Sequence, residues 1–329
     1  METFGETELC FPQLLNASCM KTKRPHFETM LTYILLFSVS LLTAFLNLLV
    51  IISISHFKQL HTPTNLLLLS LGVSDFFISF LILCQIVLID GCWFLGDLMC
   101  ALYQHLAAII TAVSVETMVL ISVDRYIAIC DPLHYSTKIT QKTVKISVCL
   151  CWFGSVMYPS LSLRDSMKHL GSYQSCFGEC VIVVNYIAGV VDVILFFIVP
   201  ITVIIVLYMR VFVVAVSQAR AMRSHIAAVS LQGSVKVTVK KSELKAARTL
   251  GVVVVVFLMC LCPYYCVTLT AQDGQTNAST ADFVLCLYYL NSCLNPMIYA
   301  FFYPWFRKSI KLIITLKILQ PDSCETNIL

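Results

Sequence analysis

The 329 residues of the chain are 59% hydrophobic, only 12% are charged, and the formal net charge is +4. A soluble globular domain is about 45–50% apolar and about 25% charged, so this composition excludes an ordinary water-soluble fold. Lipid is the solvent that accepts this much apolar surface, and we therefore predict a membrane protein.

Seven apolar runs follow one another along the chain, and each is close to the roughly 20 residues that a helix needs to span a bilayer. We predict seven transmembrane helices at about 30–54, 65–89, 98–122, 146–163, 187–209, 249–270 and 283–303. The third, fifth and sixth helices are expected to extend beyond the membrane, because unbroken polar sequence adjoins them. The predicted fold is an all-α membrane protein built as a seven-transmembrane helix bundle.

The end of the chain has the pattern of a helix that lies on a membrane surface. After Pro304, apolar residues recur at helical spacing, while basic residues share another face that suits anionic lipid. We therefore expect a short amphipathic helix after the last span. The predicted division is an extracellular tail (1–29), a seven-transmembrane domain (30–303), and a cytoplasmic amphipathic helix with its tail (304–329).

Lysine and arginine residues set the predicted orientation, because loops on the cytoplasmic side of a membrane are enriched in them. With the N-terminus outside, the inner segments hold 13 of the 22 Lys and Arg, the outer segments hold 5 and the helix ends hold 4. The flanks of the first span alone favour the reverse orientation. The balance predicts a plasma-membrane protein with an extracellular N-terminus, where Asn16 lies in a glycosylation sequon. The positive charge then belongs to a cytoplasmic face rather than to a nucleic-acid site.

Short motifs occur in a fixed order along the predicted helices. They are Asp75 in the second span, Asp124-Arg125-Tyr126 at the end of the third, Trp152 in the fourth, Pro200 in the fifth, Cys262-Pro263 in the sixth and Asn295-Pro296-Met297-Ile298-Tyr299 in the seventh. This ordered set resembles the rhodopsin-like family of G-protein-coupled receptors. The runs at 245–251 and 291–299 resemble, more narrowly, the trace amine-associated receptors. The resemblance implies an olfactory receptor that binds small amines and raises cAMP through a stimulatory G protein, and not an enzyme.

Other classes of protein fit the sequence less well. Transporters typically contain internal repeats and paired broken helices, and neither pattern is present. An intramembrane enzyme needs a metal or nucleophile cluster, and no His-Glu-x-x-His or Gly-x-Ser-x-Gly run occurs. Within the receptors, a member that has lost amine recognition and binds a non-amine ligand stays open as an alternative, with a transporter behind it.

Six of the 16 cysteines are predicted to lie on the outer, oxidising side, and the sequence alone leaves their 15 pairings open. They are Cys10, Cys19, Cys92, Cys100, Cys176 and Cys180. The resemblance implies a bond from Cys100, at the top of the third helix, to Cys180 in the second outer loop. It also implies a bond from Cys176 to the N-terminal tail, which we assign to Cys10. Cys19 and Cys92 are left without an assignment.

The predicted ligand anchor is Asp192, an acid within an otherwise apolar stretch of the fifth span. A charged residue near the membrane centre costs about 2.5–3.5 kcal/mol on insertion scales, so it requires a partner or a function. Amine receptors resembling this chain mostly carry an Asp on the third helix, and Ala107 occupies that position here. Some fish members of the family instead have the acid on the fifth helix. We expect Asp192 to bind a ligand ammonium group, with a polar contact between helices as the alternative.

Aromatic and small residues complete the predicted pocket. Tyr264, Tyr265 and Tyr289 match pocket-lining positions of the family, and a ring facing an ammonium adds about 0.5–2 kcal/mol. Ordinary core packing is the alternative for each ring. Gly189 and Phe196 are expected on the same helix face as Asp192, since they lie three residues before and four after it. The remaining candidate pocket residues are Ala107, Thr111 and Thr268.

A second acid, Asp75, matches the position of a regulatory sodium site in the family. The other positions that match this site are Ser114, Asn291, Ser292 and Asn295. A carboxylate with hydroxyl and amide oxygens suits a hard cation such as sodium. The alternative is a buried Asp in a hydrogen-bonded contact between helices. No other cofactor is expected, and the third acid, Glu116, is expected to bond a neighbouring helix.

The predicted switch lies at the cytoplasmic end of the bundle. Arg125 is expected to contact the G protein, and in the resting state to pair with Asp124 and with Glu243. Tyr208 and Tyr299 match the two tyrosines that reorganise around this arginine in the family. The remaining residues that the resemblance assigns to the switch are Tyr126, Phe257, Pro263 and Pro296.

The sixth helix departs from the family at the switch. Relatives usually carry a Trp two residues before the helix proline, and Leu261 occupies that position here. A leucine offers less bulk for a ligand to displace. We therefore expect Phe257, Val115 and Pro200, which match a packing triad below the pocket, to carry more of the switch.

Overall fold

The structure is a computed structural model of the chain. It describes residues 8–14, 17–21, 25–89, 91–168, 176–180, 186–228, 251–267, 278–321 and 323–328. The predicted glycosylation site Asn16, the pocket candidate Thr268 and the switch residue Glu243 lie outside these ranges.

Helices dominate the described residues, in the order that the hydropathy pattern predicts. They are α1 (His26–His56), α2 (Pro63–Leu88), α3 (Gly96–Cys130), α4 (Gln141–Lys168), α5, α6 (Gly251–Val267), α7 (Ala278–Phe302) and α8 (Pro304–Ile314). Helix α5 is built from Tyr186–Val193, a π-helical turn at Ile194–Ile198, and Val199–Ala228. Six of these helices are long and apolar enough to cross a membrane, and the described part of α6 is a shorter apolar helix.

The predicted helix bundle is confirmed, and the helices extend past the predicted spans where polar sequence continues them. Helix α3 reaches Cys130 and α5 reaches Ala228, both beyond the apolar runs. Helix α8 begins at Pro304, with Trp305 and Phe306 buried while Arg307 is exposed. This is the amphipathic pattern that the sequence predicts after the last span.

Local sequence explains where the helices start. Helix α2 begins with Pro63, whose missing N–H would have no partner in a first turn, and the Thr62 hydroxyl accepts a hydrogen bond from the Asn65 N–H. Helix α8 also begins with a proline, after Tyr303 in an extended conformation. The extended Phe57 ends α1 and starts a tight turn into α2.

Two apolar clusters form the core of the bundle. The inner cluster includes Phe257, Leu261 and Val115, which are almost fully buried. The outer cluster surrounds Trp93 and Tyr103, whose rings stack with centroids 5.9 Å apart. The outward faces of the helices expose large apolar side chains, as lipid-facing helices do. The two clusters together fill the inside of the bundle from its inner to its outer end.

Residues 8–14 and 17–21 pair as a hairpin that covers the outer end of the bundle. Leu9 and Met20 form an antiparallel bridge, and the Cys10 N–H donates to the Cys19 carbonyl at 2.9 Å. The hairpin then pairs with the second outer loop through a parallel bridge between Ser18 and Phe177. Gly178 follows with a positive φ of 100°, and a Cβ at this position would lie 2.8 Å from the Phe11 ring. Glycine therefore allows the hairpin and loop to meet.

Three disulfides hold the hairpin and the second outer loop, here together called the cap, on the bundle. One of the predicted pairs is corrected. The Cys100–Cys180 bond is present, as the resemblance implies. The predicted Cys10–Cys176 bond is wrong, because Cys176 bonds Cys19 and the other tail cysteine bonds Cys92. The physical reason is the bridge of Ser18 to Phe177, which brings Cys19 next to Cys176 and leaves Cys10 on the side of the α2–α3 loop.

The cap geometry predicts the outcome of peptide mapping under non-reducing conditions. Proteolysis of the intact receptor, followed by mass spectrometry, is expected to recover Cys10–Cys92, Cys19–Cys176 and Cys100–Cys180 as linked peptides. A Cys10–Cys176 peptide would contradict the register of the hairpin. The matched variants Cys92→Ser and Cys176→Ser should each release a different tail cysteine to a thiol reagent, Cys10 in the first and Cys19 in the second.

Candidate functional site

The fifth helix presents an acid whose charge is only partly accommodated. Asp192 is half-buried, and its Oδ1 is buried without a hydrogen-bond partner in the described part of the chain. The hydroxyl of Tyr158 on α4 is hydrogen-bonded to this carboxylate. The hydroxyl of Tyr265 on α6 lies within range of an electrostatic interaction with it. No described Lys or Arg forms an ion pair with it. The site therefore holds one carboxylate oxygen ready for a cationic donor.

A π-helical turn lies directly after Asp192 and changes which side chains face the neighbouring helices. The turn at Ile194–Ile198 inserts i→i+5 geometry into α5, a feature that is frequent at functional sites. Phe197 stacks on Tyr265 with ring centroids 4.1 Å apart, while Phe196 meets Tyr158 at 5.3 Å. Phe196 and Asp192 both contact Tyr158 on α4, as expected of residues on one helix face, while Phe197 contacts α6.

The predicted pocket tyrosines form a continuous aromatic group with Tyr288. Tyr264 lies 5.5 Å from Tyr265 and 4.8 Å from Tyr288, measured between ring centroids. The hydroxyl of Tyr288 is hydrogen-bonded to that of Thr111 on α3. The predicted residues Tyr264, Tyr265 and Thr111 are therefore brought together, through a tyrosine that the sequence interpretation did not select.

Tyr289 faces the outer apolar cluster, away from Asp192. It is 4% exposed and lies beside Tyr103, whose hydroxyl donates to Gln85 Oε1 at 2.7 Å. Ala107 packs into the same cluster. Ala107, at the position where most amine receptors carry an acid, therefore lies in an apolar environment. The tyrosine hydroxyls of the same cluster, on Tyr103 and Tyr289, bond each other. Asp192 lies on the α4–α5–α6 side of the bundle.

Gly189 has open space around it. A Cβ added at this position would meet no atom within 4 Å. The residue therefore does not limit the size of what lies beside Asp192, one helical turn further along α5.

Three residues of this region were not identified from the sequence. Tyr288 lies three, four and seven residues before Asn291, Ser292 and Asn295, so it shares a helix face with them. That shared face was a signal in the sequence. Tyr158 offered a weaker signal, a hydroxyl in an apolar span next to Pro159. Phe197 offered none, because its orientation depends on the π-helical turn.

A second polar site surrounds Asp75 in the middle of the bundle. Asp75 is fully buried, and its Oδ2 accepts a hydrogen bond from Asn295 Nδ2 at 2.9 Å. Ser292 lies beside the carboxylate, and the predicted Ser114 is buried on α3. Four buried oxygens have no hydrogen-bond partner among the described residues: Asp75 Oδ1, Asn291 Oδ1, Ser292 Oγ and Asn295 Oδ1. One carboxylate, two amide carbonyls and a hydroxyl form a donor set that suits a hard cation.

The first helix supports this site through a residue that the sequence interpretation missed. Asn47 Nδ2 donates to the backbone carbonyls of Ser292, at 2.9 Å, and Thr43, at 3.0 Å. This contact ties α1 to α7 at the level of the carboxylate. An asparagine in the middle of a long apolar span was its available signal.

At the cytoplasmic end, the predicted pair of Asp124 and Arg125 is present within a larger network. Arg125 Nε donates to Asp124 Oδ2 at 2.9 Å, and Arg125 Nη2 donates to the Thr64 hydroxyl at 2.6 Å. The Tyr135 hydroxyl donates to Asp124 Oδ1 at 2.9 Å, and Thr64 donates to Oδ2 at 3.0 Å. Asp124 is 1% and Arg125 9% exposed. The arginine is thus held inward by groups from α2, α3 and the following loop.

The other predicted switch residues lie around this network. Tyr208 lies near Arg125 and Tyr303, and Tyr299 lies near Tyr208 and Tyr303. Each of these two tyrosines has a buried hydroxyl without a partner among the described groups. Tyr126 packs on the apolar contact of α3 with α5. Phe257 is fully buried in the inner cluster, and Pro263 and Pro296 lie within α6 and α7.

The loop that follows α3 exposes an apolar side chain. Leu133 is 88% exposed, the most exposed large apolar residue in the described part of the chain. Asp131 closes the loop beneath it by accepting from His134 Nδ1 at 2.7 Å and Lys138 Nζ at 2.9 Å. These two partners, His134 before Lys138, hold the pKa of Asp131 below its usual range. The loop that follows α3 is therefore held by its own ion pairs while Leu133 stays exposed.

Comparison with known proteins agrees with this geometry. The sequence profile described as "7 transmembrane receptor (rhodopsin family)" matches residues 46–299. Trace amine-associated receptor 13c of Danio rerio is 36% identical, covering 99% of this chain and 98% of its own length. Trace amine-associated receptor 1 of Mus musculus is 38% identical over 90% of this chain and 92% of its own. Trace amine-associated receptor 8a of Rattus norvegicus is 39% identical, with 96% and 95% covered.

Proposed function

Because the chain belongs to the rhodopsin family of seven-transmembrane receptors, and within it to the trace amine-associated receptors, we propose that it is an olfactory receptor for amines. As a member of this family it is a multi-pass membrane receptor for small ligands, it couples to G proteins, and it is not an enzyme. The proposal adds that its ligand is an amine bound by Asp192 and that it raises cAMP through a stimulatory G protein. It also places the receptor in the plasma membrane with the N-terminus outside.

The observation that carries the amine assignment is the buried Oδ1 of Asp192, which has no partner among the described groups. An unpaired carboxylate in a membrane costs about 2.5–3.5 kcal/mol on insertion scales, and an ammonium group offsets that cost with a charge-assisted hydrogen bond. The Tyr158 hydroxyl bonds the carboxylate from the α4 side, and the Tyr265 hydroxyl on α6 lies within range of its charge. A ring face next to the cation adds about 0.5–2 kcal/mol.

A receptor that has lost amine recognition is the second candidate, and two substitutions favour it. Ala107 removes the acid that most relatives place on the third helix, and Leu261 removes the tryptophan of the sixth. Ala107 nevertheless packs in a closed apolar cluster, so the amine site is proposed on the opposite side of the pocket. The Asp192 experiment below separates these two candidates.

We propose that the amine acts by a population shift between a closed and an open arrangement. A ligand moves such an equilibrium only through a difference in its affinity for the two states. In the closed arrangement Arg125 is bonded to Asp124 and Thr64. Opening releases the guanidinium toward the G protein, beside the exposed Leu133, and gives the Tyr208 and Tyr299 hydroxyls partners that they lack here.

We also propose that Asp75, with Ser114, Asn291, Ser292 and Asn295, holds a regulatory sodium ion in the closed arrangement. The donor set of unpartnered buried oxygens supports the proposal. Bound sodium would supply positive charge that keeps the carboxylate ionised. These residues lie on α2, α3 and α7. An ion bound between them would hold α7 in place, so we expect sodium to leave when α7 moves on activation.

For the ligand anchor, Asp192→Ala is expected to raise the amine concentration for half-maximal cAMP response at least about 30-fold, since loss of one buried partner of a charge pair costs about 2–5 kcal/mol. A panel of amines would be tested on cells with a cAMP reporter, with surface expression measured for each variant. Glu116→Gln is the matched control, because this second half-buried acid lies against Cys151 and Ser155 on α4. Equal potencies in wild type and Asp192→Ala would reject the counter-ion role.

For the switch, Arg125→Ala is expected to remove the cAMP response while amine binding stays measurable. The guanidinium is the group that opening would deliver to the G protein, whereas the ligand pocket lies at the other end of α3. Lys142→Ala, at an exposed cation on the same face, should respond as wild type does. A normal cAMP response in the arginine variant, at equal surface expression, would reject this role.

For the sodium site, replacing external NaCl by KCl is expected to raise amine affinity several-fold in wild type. Sodium and the amine favour different arrangements, so removing sodium should help the amine. In Asp75→Asn the salt exchange should have no effect, because the charged ligand of the ion is gone. An equal salt effect in both receptors would place sodium elsewhere.

A further inference from the structure

Residues that follow α8 pack against the turn between α1 and α2. After α8, Leu316 adopts a left-handed conformation with φ of 54°, which reverses the chain direction. The described residues between 317 and 328, here called the C-terminal segment, then lie against the turn formed by residues 56–60. A non-glycine residue rarely adopts this conformation, so the surrounding contacts must favour the reversal.

Polar contacts join the C-terminal segment to three positions of the turn. His56 Nε2 and the Ser323 hydroxyl are 3.0 Å apart. Lys58 Nζ and Glu325 Oε1 form an ion pair at 3.1 Å. Gln59 accepts a hydrogen bond from the backbone N–H of residue 328 at 3.2 Å, and its amide lies 3.5 Å from the carbonyl of residue 325. The turn thus binds main chain and side chains of the segment together.

An apolar anchor completes the contact. Ile328 is 0% exposed and belongs to the inner apolar cluster with Phe57, Leu60 and Phe306. A fully buried isoleucine ties the C-terminal segment to the bundle. Leu319, in the same segment, is 78% exposed and makes a natural comparison.

We infer that the α1–α2 turn is a docking groove for a short acidic peptide with an apolar residue three positions after its acid, and that the C-terminal segment occupies it. Glu325 pairs with the basic rim at Lys58, and Ile328 fills the apolar floor. A tethered segment is present at an effective concentration in the millimolar range. A cytoplasmic protein that needs this groove must therefore displace the segment, and displacement exposes Ser323 and Cys324.

The groove is also close to the switch. The same turn leads into Thr62 and Pro63 at the start of α2, and Thr64 in the first turn of that helix bonds Asp124 and Arg125. Occupation of the groove is therefore linked, through a few residues of rigid helix, to the group that holds the arginine inward.

Hydrogen exchange on the purified full-length receptor tests whether the segment is docked. Amides in 317–328 are expected to exchange at least about tenfold faster in Ile328→Asp than in wild type, because the buried anchor becomes charged. Leu319→Asp is the matched control, with the same new charge at an exposed position, and should exchange as wild type does. Equal exchange in the two variants would overturn the docking.

A labelled peptide of residues 317–329 tests whether the groove recognises this chemistry. It is expected to bind full-length Ile328→Asp receptor, whose own segment is released, and not wild type, whose groove is filled. The same peptide carrying Ile328→Asp should bind at least about tenfold more weakly. Adding Lys58→Glu to the receptor should weaken binding of the unchanged peptide a few-fold, and a Glu325→Lys peptide should restore it. Equal binding of all peptides, or no binding to the released receptor, would overturn the inference.

Discussion

A polar group inside a bilayer has no water to bond, so its partner must come from the protein itself. The helices satisfy the backbone, and their inward polar side chains satisfy one another across helix contacts. Ser40 donates to the Ser79 carbonyl at 2.8 Å, and Trp152 donates to the Ser70 hydroxyl at 3.1 Å. Asn47 does the same between α1 and α7. The packing of the bundle therefore follows from the need to place each inward polar atom opposite another.

Some buried polar atoms of the described residues escape this rule, and several of them belong to residues to which we have assigned a role. In the described part of the chain, Asp192 and Asp75 each keep a buried carboxylate oxygen without a partner, and Tyr208 and Tyr299 keep buried hydroxyls. Each unpaired group destabilises this arrangement and favours whatever completes it. We propose three different completions for them: an ammonium, a sodium ion and an opened inner end of the bundle.

The features readable from the sequence are those written in long apolar runs or in fixed motifs. The seven helices, the amphipathic α8, the Asp124–Arg125 pair and the Cys100–Cys180 bond all belong here. The features that escaped depend on contacts between distant segments. Cys10 and Cys19 are equivalent as sequence, and only the bridge of the hairpin to Phe177 distinguishes them. The π-helical turn has no mark in Ile194–Ile198, yet it decides that Phe197 meets Tyr265.

The two tail cysteines bond two different outer loops, Cys10 to Cys92 and Cys19 to Cys176. This arrangement has a consequence for the order in which the disulfides form. Cys10 and Cys19 are synthesised before the other cysteines, and their backbones are hydrogen-bonded neighbours in the hairpin. Their final partners follow much later in the chain, 82 and 157 residues away. A premature bond between the two tail cysteines would therefore have to be undone by thiol exchange before the cap closes. Correct closure of the cap therefore requires Cys10 and Cys19 to remain available until Cys92 and Cys176 have been made.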